Sequence, residues 1–166
     1  MIRIEFNVAP VLAKLASAKK LLGDLTPVHQ DIAEYMVQTT KGRFITSTAP
    51  DGSRWRDKSP ATLASYLRRG DGDRPKPLIG PSGRLGREVQ GIATKDSAEI
   101  GSALIYSGVM QDGAAKGAFG TNARGRPIPW GAIPARVWLG ISAEDERAII
   151  EITDEHLEEA TGSTGE

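Results

Sequence analysis

The sequence predicts an α+β fold: an N-terminal strand and long helices packed on a small antiparallel sheet, with long extended loops and a C-terminal acidic helix. Three observations support that class. Apolar residues recur at helical spacing over 28–44 and 149–157, and they alternate at strand spacing near 2–6 and 89–102. Glycine and proline, 19 and 10 of them, together exceed a tenth of the chain and assign much of the remainder to loops. The 166 residues suit one domain, taken as 1–161, with long loops at about 46–84 and 112–130 and a flexible tail at 162–166.

Ile2, Ile4 and Phe6 share one face of the first strand. Val11, Leu12, Leu15, Ala18 and Leu22 then follow a helical period. Thr26-Pro27 reads as a helix start, a capping side chain before the residue best tolerated in the first turn. The stripe of Val28, Ile32, Tyr35, Met36 and Phe44 extends that helix from about 27 to 45. Residues 46–84 are dominated by turn signals, with one short helix from Pro60 to Arg68 capped by Ser59.

Residues 85–110 read as β, and Val89, Gly91 and Ala93 can pair with Ala98, Ile100 and Ser102 across Thr94–Ser97. The stretch ALIYSGVMQ fits a strand or a short helix equally. Ser142 with Asp145 three later resembles a capping box, with Asp in place of the usual Glu or Gln. Glu144, Asp145 and Glu146 occupy the first turn, where the helix dipole favours negative charge. Ile149, Ile150, Ile152 and Leu157 supply the expected buried side of this last helix.

A formal net charge of +0 argues against a general nucleic-acid binder, but the zero conceals an asymmetry. Residues 41–90 carry eleven basic side chains against five acids, about +6, whereas 142–166 carry nine acids against Arg147 alone, about −8. Either these are solvated surfaces, or the basic region of one copy meets the acidic helix of the next, a head-to-tail contact that closes into rings. The N-terminus lacks the apolar core of a signal peptide, and no window approaches a membrane span, so cytosolic synthesis is expected.

Signals for chemistry are sparse. Cysteine is absent, which excludes disulfides and thiolate metal sites. His29 and His156 stand in no zinc-binding spacing. In GDGDRP, Asp71 and Asp73 have the opening spacing of a calcium loop, but Pro75 and Ser82 fall where ligands are required. The glycine-rich segments lack the G-K-[ST] of a phosphate cradle, and a hydrolase reading would rest on those loops alone. No catalytic residue, cofactor or metal is therefore expected. Trp55 between Arg54 and Arg56 could stack on a nucleic-acid base, but its place past a helix end favours a core cap.

The order of the motifs is more specific than any single one. Arg43 and Phe44 end the long helix, and Pro50, Asp51, Gly52 and Trp55 form a P-D-G-x-x-W turn. Ser82, Gly83 and Leu85 follow, then Ile100, Gly101, Tyr106, Gln111 and Gly113, and finally Pro134, Ala135, Arg136, Trp138, Leu139 and Gly140 within IPARVWLGIS. Over residues 28–155 this arrangement resembles the phage virion morphogenesis family, with its Mu-like tail-completion and head–tail joining proteins. Serine replaces the common threonine at 82, Ser107 the usual alanine, and Val137 the usual proline.

The resemblance implies a non-enzymatic virion protein of the neck or tail, made in the host bacterial cytoplasm. It implies assembly with itself as a ring, six-fold like many tails, and contact with neighbouring connector, head-completion and tail-tube proteins. DNA would pass through the channel, no membrane is involved, and a nucleic-acid-binding role for the basic 54–87 region is the alternative. Within IPARVWLGIS, an extended segment would turn Val137 and Leu139 one way and Trp138 the other. Arg136 would be free to pair with a carboxylate of its own chain or of a neighbouring copy.

Overall fold

A computed structural model describes residues 13, 16–20 and 23–162. The expected first strand over Ile2, Ile4 and Phe6 lies outside them, as do Val11, Leu12, Leu15 and Leu22 of the first expected helix, and residues 16–20 are helical. Of the expected tail, only Gly162 is described.

The central element is helix α1, Thr26–Thr46. Val28, Ala33, Met36, Thr40 and Arg43 recur every three to five residues and, with Phe44, form its buried side. Thr26 does not cap it as expected: the chain enters through Leu25, and the carboxylate of Asp24 accepts from the Thr26 N–H at 3.0 Å. The helix ends at Ser47, whose φ of 59° turns the chain sharply toward Trp55.

Helix α2 spans Pro60–Arg69, with Ser59 accepting from the Thr62 N–H as the sequence predicts. Residues Arg84–Arg87 form one helical turn, α3, where strand was expected. The reason is a spacing of four: Leu85 and Val89 both reach the core, and their separation fits a helical turn leading into the sheet. Strands β1, Gln90–Ala93, and β2, Ala98–Gly101, then pair antiparallel with Gln90 opposite Gly101 and Ala93 opposite Ala98. Thr94 closes the turn by bonding to Ser97 and accepting from Asp96. Gly91 lets the sheet lie on α1, since a Cβ there would stand 3.0 Å from the Cβ of Ala33.

The ambiguous stretch after β2 contains helix α4, Ser107–Asp112. Residues 114–133 leave and return as a paired excursion, with Ala114 and Ile133 exchanging both backbone bonds at 2.9 and 2.8 Å. Helix α5, Ala143–Thr161, begins with the Ser142–Asp145 capping box and packs on α1. His156 Nε2 meets the Asp31 carboxylate at 2.7 Å along that contact.

One expectation about α5 fails. Ile149 and Ile152 are half-buried, but Ile150 is 60% exposed and Leu157 38% exposed. At 100° per residue, Asp145, Ile149, Ile152 and His156 share the face on α1, which turns Ile150 and Leu157 away from it.

Candidate functional site

The motif residues converge where α1, the 47–58 segment, α4 and the 133–142 segment meet. Phe44, Ala49, Trp55, Leu85, Val89 and Trp138 form the buried cluster there. The Phe44 ring lies 5.3 Å from Trp55 in an edge-to-face arrangement and 5.9 Å from Trp138. Both indole N–H groups are satisfied, Trp55 donating to the Val137 carbonyl at 2.8 Å and Trp138 to the Ser107 carbonyl at 3.2 Å. Trp55 thus caps the core and is unavailable for stacking on a base.

Three side chains pin the backbone of residues 136–140 around this cluster, and a fourth, Arg136, reaches out from it. Gln111 acts as a substitute strand partner: its amide donates to the Leu139 carbonyl at 2.8 Å and accepts from the Trp138 and Leu139 N–H groups at 2.9 and 3.1 Å. Arg43 donates to the Gly140 carbonyl at 2.7 Å and to Asp145 at 2.5 Å. Trp55 holds Val137 from the other side. Arg136 reaches outward, donating from Nε to the Arg56 carbonyl at 2.6 Å and from Nη2 to the Asp57 carbonyl at 3.0 Å.

That last contact corrects the expectation for Arg136. Its guanidinium is buried and forks onto two backbone carbonyls, so it tethers the 56–57 segment and is not free for a carboxylate. The extended reading of its neighbours holds in part. Val137 is exposed and Trp138 buried, but Leu139 packs against the core and does not share the outward face of Val137.

Two glycines are required by close approach. Gly113 has a φ of 74°, and a Cβ on it would stand 2.6 Å from both the Ala135 nitrogen and the Ile133 oxygen. Its bareness lets Pro134 and Ala135 cross the end of α4. Gly140 faces the Pro50 ring, with Cγ 3.0 Å from an added Cβ. Asp51 and Gly52 shape the turn before Trp55, where Asp51 accepts from the N–H and hydroxyl of Ser53. Gly83 starts α3, Leu85 fills the core, and Tyr106, at the start of α4, is exposed, as are Asp51 and Ala135 among the motif residues.

Sequence reasoning missed two contributors. Asp145 was read as a cap, but its carboxylate also takes Arg43 and the Tyr35 hydroxyl, the latter at 3.3 Å. Lys58 donates to the Arg74 and Ile79 carbonyls, both at 2.6 Å, and lies 5.0 Å from the Tyr66 ring centre. The available signal for Asp145 was an acid beside the apolar face of its own helix. For Lys58, whose partners are carbonyls, the sequence carries no signal.

Charge is unevenly compensated around this site. Burial pushes the Lys58 ammonium down from its ordinary range, and the nearby Arg136 and Arg74 push it further. Burial likewise lowers Arg136, reinforced by Arg56. Among the described residues, no group of His, Asp and Glu has the geometry to hold a metal ion, and no helix is long and apolar enough to cross a membrane.

Fold and site together define an α+β scaffold in which the recurring motif residues hold backbone segments to one another. The profile of the phage virion morphogenesis family matches residues 6–158, and the chain belongs to that family. No curated protein and no solved structure matches it.

Proposed function

We propose that this protein is a non-enzymatic structural component of a tailed-phage virion that completes the head-proximal end of the tail, or joins tail to head, as a homo-oligomeric ring. The observation that carries the ring is the division of charge over one chain. Arg54, Arg56, Arg68, Arg69, Arg74, Lys76, Arg84 and Arg87 of the basic region are exposed, and α5 presents seven acids outside its buried Asp145. Two unlike surfaces of opposite sign on one chain favour a repeated head-to-tail contact over a two-fold one. The ring's neighbours would be connector or head-completion proteins on one side and the tail tube on the other, at the neck.

Electron microscopy of a lysate from phage carrying an early stop codon in this gene tests the reading. DNA-filled heads beside separate, otherwise normal tails are expected for the joining role. Tails of abnormal length would assign termination of tail growth. Intact, infectious virions would overturn the proposal.

A further inference from the structure

An open groove of about 1110 Å³ lies between the start of α2, the 78–85 segment, α4 and residues 129–136. Its walls combine apolar and cationic groups: Trp130, Tyr106 and Met110 on one hand, Arg56 and Lys58 on the other. Trp130 is 71% exposed, an unusual position for so large an apolar side chain on a lone subunit. Neither Arg56 nor Lys58 forms an ion pair among the described residues, whereas Arg84 nearby is already matched by Glu88 at 2.6 Å. Besides burial, the Arg136 charge pushes the Lys58 ammonium down and the Arg56 charge pushes Arg136 down, which fits an excess of positive charge along the groove. At this size and openness it exceeds an ordinary small-ligand pocket.

The matching surface is on the same chain. Ile150 and Leu157 stand two turns apart, about 10 Å along the outer face of α5. Glu146, Asp154 and Glu158 flank them on the helix surface. No residue of the chain's own α5 lines the groove, because that helix lies on α1. We infer that the groove receives α5 of a second copy, with Ile150 and Leu157 against Trp130 and Tyr106 and the flanking acids toward Arg56 and Lys58. This is a helix-in-groove contact with an apolar centre and a charged rim. It rests on the ring reading above and specifies the contact that would build the ring. A polynucleotide would satisfy the cations but leave Ile150 and Leu157 uncovered.

The absence of cysteine makes the test direct. Trp130→Cys and Leu157→Cys, introduced together, are oxidised in a phage lysate, alongside each single variant and wild type treated with an amine-reactive cross-linker. The contact predicts a disulfide ladder from the double variant and none from either single variant. A disulfide-linked dimer from Leu157→Cys alone, where the single thiol of each chain can join only two copies, would mean a two-fold contact and overturn the assignment. An amine ladder without the disulfide ladder would overturn this interface but keep the ring, and would give the groove to another anionic partner such as nucleic acid. No ladder from either treatment would remove the ring itself. As a second arm, Ile150→Arg with Leu157→Arg should reduce assembly at least tenfold while the circular dichroism of the subunit stays unchanged. Assembly equal to wild type would overturn the inference.

Discussion

Arg43 donates to Asp145 at 2.5 Å, and this contact joins the last turn of α1 to the first turn of α5 across 102 positions of chain. Both side chains are buried, at 7% and 1% exposure. The same carboxylate oxygen accepts from the N–H and the hydroxyl of Ser142, each at 2.7 Å, while the second oxygen takes Tyr35. A buried ion pair adds little stability by itself, because desolvation offsets the attraction. What this one does is orient: it couples the helix cap to the helix-end arginine, and so fixes where the acidic helix leaves the core.

Removing one partner should be much costlier than removing the cap alone. Asp145→Ala leaves the Arg43 guanidinium buried without its carboxylate, an expected loss of about 3–5 kcal/mol. Ser142→Ala removes only the reciprocal cap, an expected loss of about 0.5–2 kcal/mol. Urea unfolding of both variants decides the matter. Equal losses would show that the Arg43 contact contributes nothing beyond the cap.

The pair also predicts an acid limb. Burial pushes the Asp145 carboxyl up, but the Ser142 N–H and hydroxyl, the Arg43 charge and the Tyr35 hydroxyl outweigh it, so the group sits below the ordinary carboxylate range. A depressed folded-state pKa gives stability that is present above the unfolded value, near about 3.9, and lost as pH falls through the folded one. Stability from this group should therefore be flat at neutral pH and decline below about pH 4. Asp145→Asn should flatten that decline in a series of urea midpoints, and an unchanged acid limb would mean other carboxylates produce it.

Gly113 and Gly42 should respond to alanine in opposite directions. At Gly113 the new Cβ meets two backbone atoms at 2.6 Å with φ at 74°, so Gly113→Ala should cost about 2–4 kcal/mol. Gly42 lies inside α1 with nothing within 4 Å of an added Cβ, and Gly42→Ala should stabilise by about 0.5–1 kcal/mol. Thermal melts that fail to separate the two would refute the close crossing of residues 133–135 over α4.

What the sequence made legible was local. The Ser59 cap, the Thr94 turn and the start of α5 each announce themselves within four residues, the range over which capping and turn chemistry acts, while the long helix shows in its apolar stripe from Val28 to Phe44. The Arg43–Asp145 contact was hidden because a capping box already accounted for Asp145. Arg136 was misread because its partners are carbonyls, which leave no trace in side-chain identity. The outward Ile150 escapes the periodicity because Ile149, Ile150 and Ile152 spread over an arc of about 160°, so the period alone does not select which edge of it is buried.

Gln111 offers a test of the clamp without disturbing the aromatic cluster. Its amide makes three bonds to the backbone of Trp138 and Leu139, and Gln111→Ala should cost about 2–4 kcal/mol at roughly 1 kcal/mol per bond. The amides of Trp138 and Leu139 should also exchange with solvent much faster, as the substitute strand partner is gone. Protection at those two amides equal to wild type would mean that neighbouring packing, and not Gln111, shields them.

Arg136 separates a tether from an assembly contact. Its two bonds run to the carbonyls of Arg56 and Asp57, so a lysine, with one nitrogen and no planar fork, can keep only one of them. Arg136→Lys should lose about 1.5–3 kcal/mol, the worth of a hydrogen bond to a charged group. Arg136→Glu sets a buried carboxylate against two carbonyl oxygens and should lose at least about 3 kcal/mol. In both variants the 54–57 segment should come away from the core, exposing the bonds after Arg54 and Arg56 to trypsin before any cut within α1 or α5. A glutamate variant that unfolds at the wild-type urea midpoint and keeps those bonds protected would return Arg136 to the role first read from the sequence, a free arginine awaiting a carboxylate on another chain.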